Sequence, residues 1–350
     1  MYRRGVLAGV RTTIARWLEE GALSSPASRV VGRAHAALAG RALARPLLVP
    51  VRHEANARPL VTVTVGGSTL GGSGKTRVAL ACACELASHG ANVVLIGHAY
   101  RASPRAARVV TPHDSLDDVG DEALACAREL ARTGARSVRV VVAPSRQAAV
   151  DFAVRLVPRV DAVVLDGPLQ LSPARSSLSV LALDASAPWG AGAAPPAGDL
   201  RAAPEVLLAH ADHVVHVDAT PRSVWFGSPA RAIELASFAS SFAGARVGLF
   251  TALARPDRLV RALAAAGLDP HVVVRAADHG PLTDGLARVV AEADPGVDSW
   301  LATSKCALHL ERAALGERLA ILDGSLVLPP PAARALRQLV ERRDAVEGAR

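Results

Sequence analysis

The sequence predicts an α/β fold: a mainly parallel β-sheet with helices on both faces, a smaller second α/β domain, and an N-terminal amphipathic helical segment. Half of the 350 residues are apolar, which is enough for sizeable cores in two ordinary domains. Short β-branched segments alternate with helical patterns, as they do in parallel sheets. A glycine-rich turn joins the first of these strands to the helix behind it, a connection that suits close backbone contacts.

Residues 1–58 are predicted to form two basic amphipathic helices, over 5–20 and about 27–45. The apolar face of the first consists of Val6, Val10, Ile14, Trp17 and Leu18. The segment holds ten arginines and three glutamates, and so carries +7 of the chain's net charge of +8. An apolar face flanked by arginines favours an anionic membrane surface. A helix docked on the protein's own core, or a solvated basic tail, is the alternative.

Strands and helices alternate after a linker marked by Pro46, Pro50 and Pro59. The predicted strands are 60–65, 91–96, 137–143 and 161–166, and the predicted helices are 76–89, 121–133 and 146–157. A loop rich in Pro, Gly and Ala covers 185–204. The second α/β unit is predicted from strands near 213–217 and 246–250 and helices near 256–267 and 331–342. The predicted domains are 1–58, 59–235 and 236–350.

The strongest motif lies between the first strand and the first helix of the sheet. Its residues are Thr69, Leu70, Gly71, Gly72, Ser73, Gly74, Lys75 and Thr76. Glycines let backbone N–H groups approach phosphate oxygens, and the helix N-terminus adds its dipole. In P-loops the lysine contacts the β- and γ-phosphates and the following hydroxyl binds Mg²⁺. The motif therefore predicts a P-loop NTPase-like sheet that binds ATP and Mg²⁺; a glycine-rich turn with a chance Gly-Lys-Thr is the alternative.

Acidic residues follow at two places. Asp166 ends the strand 161–166, and a carboxylate at the carboxyl edge of a parallel strand near a P-loop is a usual partner of Mg²⁺. We therefore expect Asp166 and Thr76 to lie within reach of one ion, although a strand-end aspartate is often only a cap. Asp121 and Glu122 begin a helix, where acidic residues are favourable for dipole reasons alone.

The remaining composition narrows the class of protein. No pair of the four cysteines has CxxC spacing, so buried free thiols in a reducing cytosol are expected and a zinc site is not. No apolar run reaches the roughly 18 residues of a transmembrane helix. No RNA-binding motif or aromatic platform is present, so no nucleic-acid partner is expected.

The motifs, taken in order, resemble those of the tetraacyldisaccharide 4′-kinase (lipid A 4′-kinase) family. Thr69–Thr76 matches that family's Thr-x-Gly-Gly-Thr-Gly-Lys-Thr loop with one serine for threonine. Val119–Glu122 matches Val-Gly-Asp-Glu, and Arg146 matches an arginine that follows a strand. Pro196–Arg201 and Thr303–Ala307 resemble two later motifs, Leu-Pro-Ala-Gly-Pro-Leu-Arg and Thr-Glu-Lys-Asp-Ala.

The resemblance implies transfer of the γ-phosphoryl group of ATP to the 4′-hydroxyl of a tetraacyldisaccharide 1-phosphate, a lipid A precursor. It implies Asp121 as the catalytic base, with support from His279, and Mg²⁺ at Thr76 and Asp166. The implied substrate contacts are Gln170, Arg146 and Arg201. An acylated substrate further implies a peripheral protein at the cytoplasmic face of the bacterial inner membrane.

The chain also departs from the family pattern. Residues 166–171 correspond to the family's Asp-Asp-Gly-Leu-Gln-His motif. Gly167 stands where the family has its second aspartate, and Leu171 stands where it has the histidine. In the family's Asp-His-His motif, Gly280 stands where the family has the second histidine. Two alternatives therefore stand beside the kinase: a catalytically weak paralogue that binds nucleotide and lipid, and a P-loop kinase with a different acceptor.

Overall fold

The structure, a computed structural model, describes residues 14, 17–18, 20–43, 60–97, 102, 104–167, 169, 176–227, 231–276, 284–310 and 315–348. Its contacts divide the chain into two compact units. The larger unit comprises Trp17–Val217 and Leu326–Arg350, and the smaller unit contains Asp218–Ser325. Each unit is built on one β-sheet.

The sheet of the larger unit has seven strands. They are β1 (Val61–Gly67), β2 (Val93–Ile96), β3 (Arg108–Val110), β4 (Val138–Val142), β5 (Ala162–Gly167), β6 (Leu178–Asp184) and β7 (His213–Val217). Their order is β3-β4-β2-β5-β1-β6-β7, and every neighbouring pair is parallel except β3 with β4. Because β5 lies between β1 and β2, the carboxyl ends of β1 and β5 are neighbours.

The helices of the larger unit up to residue 217 are α1 (Pro26–Leu43), α2 (Lys75–Ser88), α3 (Leu116–Val119), α4 (Asp121–Thr133), α5 (Arg146–Ala153) and α6 (Pro204–Ala209). Val163 and Leu165 of β5 pack with Ala149 and Val150 of α5. Asp166 is one residue out of step with that pair, so its side chain lies on the opposite face of the sheet. The alternation of a single strand therefore places the carboxylate on the side where α2 packs.

Helix α1 docks on the larger unit through a glycine. Gly32 is buried, and a Cβ added there would lie 2.7 Å from the carbonyl oxygen of Ala194. Val31 and Leu38, which lie away from that contact, are 56% and 63% exposed. Helix α1 thus docks on the protein and still presents an apolar face to solvent. The predicted helix over 5–20, for which docking was the alternative, lies largely outside the described residues.

The smaller unit has a six-stranded sheet. Its strands are β8 (Ser223–Phe226), β9 (Arg231–Glu234), β10 (Val247–Thr251), β11 (Val272–Arg275), β12 (Ser299–Thr303) and β13 (Leu319–Leu322), in the order β11-β10-β12-β13-β8-β9. The strands β10 to β13 are parallel, and β8 and β9 are antiparallel additions. Its helices are α7 (Leu235–Ser241), α8 (Pro256–Ala265), α9 (Asp284–Ala293) and α10 (Ser304–Ala307).

The contacts divide the chain differently from the predicted domain boundaries. Helix α11 (Pro330–Gly348) returns to the larger unit and packs on α2. There Arg343 Nη1 lies 3.1 Å from Asp161 Oδ1, and both side chains are nearly buried. In the other direction, β8 joins the smaller sheet because Trp225 pairs with Ile321 of β13. Both differences arise from pairings between segments far apart in sequence.

The predicted α/β fold is confirmed, and α4 matches the predicted helix 121–133 residue for residue. The sequence analysis does not predict β6, because a fully buried strand shows no alternation of apolar and polar residues. The four cysteines are free thiols, three of them buried, as expected. Within the described residues, no helix combines the length and the apolar composition needed to cross a bilayer.

Candidate functional site

Two glycines shape the loop between β1 and α2. Gly72 and Gly74 have φ angles of 71° and 77°, which residues with a side chain rarely adopt. A Cβ added to Gly74 would also lie 2.6 Å from Cγ1 of Val217. Because Gly74 directly precedes α2, the loop ends at the positive pole of that helix. The loop therefore has the backbone geometry expected of an oxyanion cradle.

The side chains of the loop fit this shape. Thr69 stands where P-loops usually have glycine; it is buried, and its Oγ1 donates to the carbonyl oxygen of Gly71 at 2.7 Å. Ser73 is also buried, whereas Leu70 is 46% exposed. The threonine therefore ties the loop to itself without intruding on the space above it.

Thr76 and Asp166 lie together, as the sequence predicts. Thr76 Oγ1 donates to Asp166 Oδ2 at 2.7 Å. The register of β1 with β5 places Asp166 opposite Val65, two residues before the end of β1. Lys75 is the first residue of α2 and stands beside this pair in sequence. The strand end and the helix start are thus joined by one hydrogen bond at the base of the loop.

Burial is the dominant influence on Asp166. It raises the pKa of the carboxyl group to about 6, against the opposing effects of Lys75, the Thr76 hydroxyl and Arg201. Glu122 raises that pKa further. The second carboxylate oxygen, Oδ1, is buried and has no hydrogen-bond partner among the described residues. A buried oxygen of this kind, beside a hydroxyl, suits a hard cation.

A distant segment clasps the glycine-rich loop. Arg201 Nε donates to the carbonyl oxygen of Thr69 at 2.7 Å, and Nη2 donates to that of Leu70 at 3.3 Å. Backbone bonds of 2.9 Å run from Arg201 N–H to the oxygen of Ser68 and from Leu70 N–H to the oxygen of Asp199. Burial lowers the pKa of the Arg201 guanidinium, although Asp166 opposes that shift. Arg201 therefore supports the loop; its predicted contact with substrate stays a prediction.

A cavity of about 400 Å³ opens at the carboxyl ends of β2, β4 and β5. Its lining residues are Ile96, Gly97, Ala102, Pro104, Ala143, Pro144, Ser145, Arg146, Ala149 and Asp166. Arg146 begins α5, whose N-cap Ser145 accepts a hydrogen bond from the N–H of Ala148. Burial lowers the pKa of the Arg146 guanidinium, and Asp166 raises it. One cavity thus joins a cationic side chain to the carboxylate that Thr76 contacts.

The remaining predicted residues divide into two groups. Asp121, the first residue of α4, is 5% exposed, and Gly120 before it offers no side chain to cap the helix. His279 and Gln170 lie outside the described residues. The catalytic role of Asp121 and His279 and the substrate role of Gln170 stay predictions.

Sequence reasoning missed Glu122 as a site residue. Its charge raises the pKa of Asp166, so the carboxylates lie close enough to interact. The signal was available, because Glu122 belongs to the same Gly-Asp-Glu motif as Asp121. Within the described part of the chain, no group of three or more His, Cys, Asp or Glu side chains is arranged to hold a metal ion.

Comparison with known proteins finds relatives along most of the chain. A family model described as tetraacyldisaccharide-1-P 4′-kinase matches residues 36–341. The tetraacyldisaccharide 4′-kinase of Anaeromyxobacter sp. (strain K) is 32% identical over 322 residues, which cover 83% of this chain and 82% of that protein. The protein of the same name from Methylobacterium sp. (strain 4-46) is 29% identical over 333 residues and covers 92% and 94%.

A solved structure shares the fold. The crystal structure of LpxK from Aquifex aeolicus in complex with ATP superposes with a TM-score of 0.63. The match covers 90% of this chain and 96% of that chain at 18% sequence identity. At this level of identity, the likeness concerns the fold.

Proposed function

The chain belongs to the tetraacyldisaccharide-1-phosphate 4′-kinase family, and from this we propose that it transfers the γ-phosphoryl group of ATP to the 4′-hydroxyl of a tetraacyldisaccharide 1-phosphate. The observation that carries the proposal is the bonded pair of Thr76 and Asp166. Asp166 also lines the 400 Å³ cavity. Phosphoryl transfer needs a nucleotide site and an acceptor site that meet at the γ-phosphate, and Asp166 belongs to both.

The glycine-rich loop is the proposed site for the ATP phosphates. Its backbone N–H groups and the Lys75 ammonium hold the β- and γ-phosphates, where negative charge develops during transfer. Arg201 fixes the loop through two carbonyl oxygens. It therefore holds the phosphate-binding N–H groups in place, in addition to any direct contact with substrate.

The residues at the base of the loop fit Mg²⁺. This ion prefers hard oxygen ligands and keeps water and phosphate oxygens in its shell. Thr76 Oγ1 and the unpartnered Asp166 Oδ1 are the proposed protein ligands, with the Glu122 charge nearby. When bound, the ion neutralises charge on the transferred group. A cation held by this donor set would balance the charge of a carboxylate that has little solvent exposure.

Asp121 is the proposed base. The acceptor oxygen forms a bond to the γ-phosphorus while the bond from that phosphorus to the β,γ-bridging oxygen breaks, which releases ADP. The proton of the 4′-hydroxyl passes to the Asp121 carboxylate, with support from His279. A positioned base of this kind contributes about 10²–10⁴-fold to the rate.

The cavity is the proposed acceptor site. Its 400 Å³ falls within the range of about 300–1,000 Å³ typical of small-molecule sites. Arg146 faces it as a partly desolvated cation, which suits an anionic group of the acceptor. Gln170 is proposed as a further contact from the segment after β5.

The exposed face of α1 is the proposed membrane contact. Val30, Val31 and Leu38 are 66%, 56% and 63% exposed, and the exposed arginines Arg33 and Arg41 lie on the same helix. Apolar residues flanked by arginines bind anionic lipid interfaces. This face, with the basic segment before it, would seat the protein peripherally at the cytoplasmic side of the inner membrane, where an acylated acceptor resides.

A second candidate function follows from Gly167. The family motif has a second acid there, and this chain has a glycine with φ 112° that ends β5. A nucleotide- and lipid-binding paralogue with weak transfer would fit that loss.

The test is a transfer assay on the purified full-length protein with ATP, Mg²⁺ and tetraacyldisaccharide 1-phosphate. We expect the lipid to gain one phosphate by mass spectrometry and ADP to form in equal amount. Lys75→Ala protein, purified in parallel, excludes a contaminating kinase. Nucleotide binding without phosphorylated lipid would favour the paralogue, and phosphorylation of another acceptor alone would overturn the substrate assignment.

A further inference from the structure

The parallel strands of the smaller unit contain a point where the chain reverses its direction across the sheet. From β10 the chain passes to β11 on one side and then to β12 on the other side of β10. After β10, α8 packs on the sheet face of Leu249 and Leu301, whereas after β12, α10 places Cys306 on the opposite face. Connections that leave neighbouring strands towards opposite faces open a crevice at their carboxyl ends. Open α/β sheets bind ligands at such points.

Two hydroxyl groups at this crevice have no assigned partner. Thr251 ends β10 and is fully buried, and Ser304 begins α10 directly after β12. The hydroxyl oxygens of both are buried and find no hydrogen-bond partner among the described residues. The N–H of Ala252 donates to Cys306 Sγ at 3.2 Å, which holds the two strand ends together. A buried hydroxyl without a partner destabilises the fold, so a ligand with acceptor oxygens would offset an existing penalty.

The residue after Ser304 is Lys305, one of only two lysines in a chain with 40 lysines and arginines together. Apart from Lys75 and Lys305, all of these 40 residues are arginines, so arginine serves wherever positive charge alone is needed. An ammonium group is a compact charge with three donors, and a guanidinium is a planar fork. Lys75 directly follows the glycine-rich loop as the first residue of α2, and Lys305 is half-buried two residues after the end of β12.

We propose that the carboxyl ends of β10 and β12 form a second anion site, which takes a phosphate group. Lys305 supplies the charge, and the hydroxyls of Thr251 and Ser304 donate to phosphate oxygens. The site binds and does not transfer, so no covalent bond changes there. It lies in the smaller unit, apart in sequence from the glycine-rich loop, and extends beyond the proposed kinase reaction.

The scarcity of lysine gives a direct test. An amine-selective acylating reagent, read by peptide mass spectrometry on the full chain, reports Lys75 and Lys305 separately. Inorganic pyrophosphate at ten times its dissociation constant should slow the acylation of Lys305 by roughly tenfold. The protection must persist in Lys75→Ala protein, where binding at the glycine-rich loop is impaired. If pyrophosphate leaves the rate of Lys305 acylation unchanged in both the wild-type and the Lys75→Ala protein, the proposal is overturned.

Titration calorimetry supplies the second measurement. Lys75→Ala protein should bind pyrophosphate, and Lys75→Ala/Lys305→Gln protein should bind it at least tenfold more weakly with an unchanged thermal midpoint. Lys75→Ala/Lys305→Arg should not restore binding, because the fork does not replace the ammonium. Equal affinity in all three would refute the site. Displacement of pyrophosphate by ADP, or by the disaccharide 1-phosphate, then identifies which phosphate occupies it; either result supports the proposal.

Discussion

The carboxyl edges of the two sheets use different chemistry. After β1 in the larger unit, glycines with positive φ form the edge. Behind it lie the buried carboxylate of Asp166 and the half-buried guanidinium of Arg201. After β10 and β12 in the smaller unit, the edge consists of hydroxyls and a thiol, those of Thr251, Ser304 and Cys306. The first edge fixes its backbone for one kind of ligand, whereas the second offers side-chain donors on an ordinary backbone.

The difference teaches where sensitivity to substitution should lie. Changes to the charged groups at the glycine-rich edge should reduce turnover with little effect on folding, because these groups act on a bound phosphate. Changes at the carboxyl ends of β10 and β12 should alter binding or stability while leaving the chemical step intact. The following variants test this contrast, from the largest expected effect on turnover to the smallest.

Lys75→Ala should produce the largest loss. A single cation at the transferred phosphate is worth about 10³–10⁵-fold in rate, so kcat/KM should fall by that order. The thermal midpoint should match the wild type, since the ammonium does not belong to the core. Arg136→Ala, which removes an exposed cation near the end of α4, serves as the control. Near-normal turnover of Lys75→Ala would remove the loop from the mechanism.

Asp121→Asn should lower kcat by about 10²–10⁴-fold, because the amide cannot accept the hydroxyl proton. Asparagine is nearly isosteric and suits a helix start, so the thermal midpoint should change little. The dissociation constant for ATP, measured by calorimetry, should be unchanged. Persistent activity would mean that Asp121 only stabilises the start of α4.

Arg201→Lys should weaken nucleotide binding by about 10–100-fold, because charge-assisted hydrogen bonds are each worth about 1.5–3 kcal/mol. A lysine can reach one of the two loop carbonyl oxygens that Arg201 contacts, so the loop loses its clasp. Because the expected effect is on nucleotide binding, Arg201→Lys should change KM for ATP more than kcat. A loss in kcat alone would place Arg201 on the transferred phosphate and not on the loop.

Leu38→Glu on α1 should reduce binding to anionic vesicles by roughly tenfold or more, since burying a leucine is worth about 1.5–3 kcal/mol. Folding should be unaffected because Leu38 is 63% exposed. Val157→Glu is the matched control, because Val157 is 89% exposed and lies far from α1 in sequence. Equal effects of both changes on sedimentation with vesicles would move the membrane contact away from α1.

Asp294→Ala in the smaller unit should leave kcat unchanged and destabilise folding by about 1–3 kcal/mol. Asp294 accepts from Trp300 Nε1 at 2.9 Å and from both terminal nitrogens of Arg318 at 2.8 and 2.6 Å. Trp300 is fully buried, so its N–H would lose its partner. Asp294→Asn keeps an acceptor for Trp300 and should cost less, as urea unfolding can show.

The same residue gives a pH dependence. The hydrogen bonds from Arg318, followed by that from Trp300, hold the pKa of Asp294 below its usual value. Its stabilising contribution is therefore complete above the ordinary aspartate pKa of about 3.9 and disappears as the pH falls through the lower folded value. Wild-type and Asp294→Asn stabilities should converge in that acid range; a constant difference would contradict the shift.

Most residues at the carboxyl edge of the larger sheet could be predicted from the sequence. The glycine-rich loop, Lys75 and Thr76 are readable because each position is restricted by local backbone geometry or by phosphate chemistry. Asp166 could be predicted because it lies at the carboxyl end of a strand rich in valine. The hydrogen bonds from Arg201 to the loop could not be predicted in this way. They join residues 132 positions apart, and no local sequence pattern indicates such a contact.

The smaller unit is harder to predict for a related reason. Its strands are short, and its antiparallel addition pairs β8 with a strand almost a hundred residues later. The predicted boundary at 235 rests on local strand and helix patterns, whereas the contacts divide the chain according to strand pairing. Thr251 gives no sequence signal, since a threonine at a strand end is usually a cap.

Helix α11 sets the order in which the protein can be completed during synthesis. The chain leaves the larger unit at Val217 and returns at Leu326. The ribosome thus makes the whole smaller unit before the helix that covers α2 and places Arg343 against Asp161. Domains commonly fold as units as they emerge, but here the larger unit is interrupted by residues 218–325 and is completed after them. A nascent chain stalled before residue 330 would have the glycine-rich loop and its sheet but would lack the helix that packs on α2.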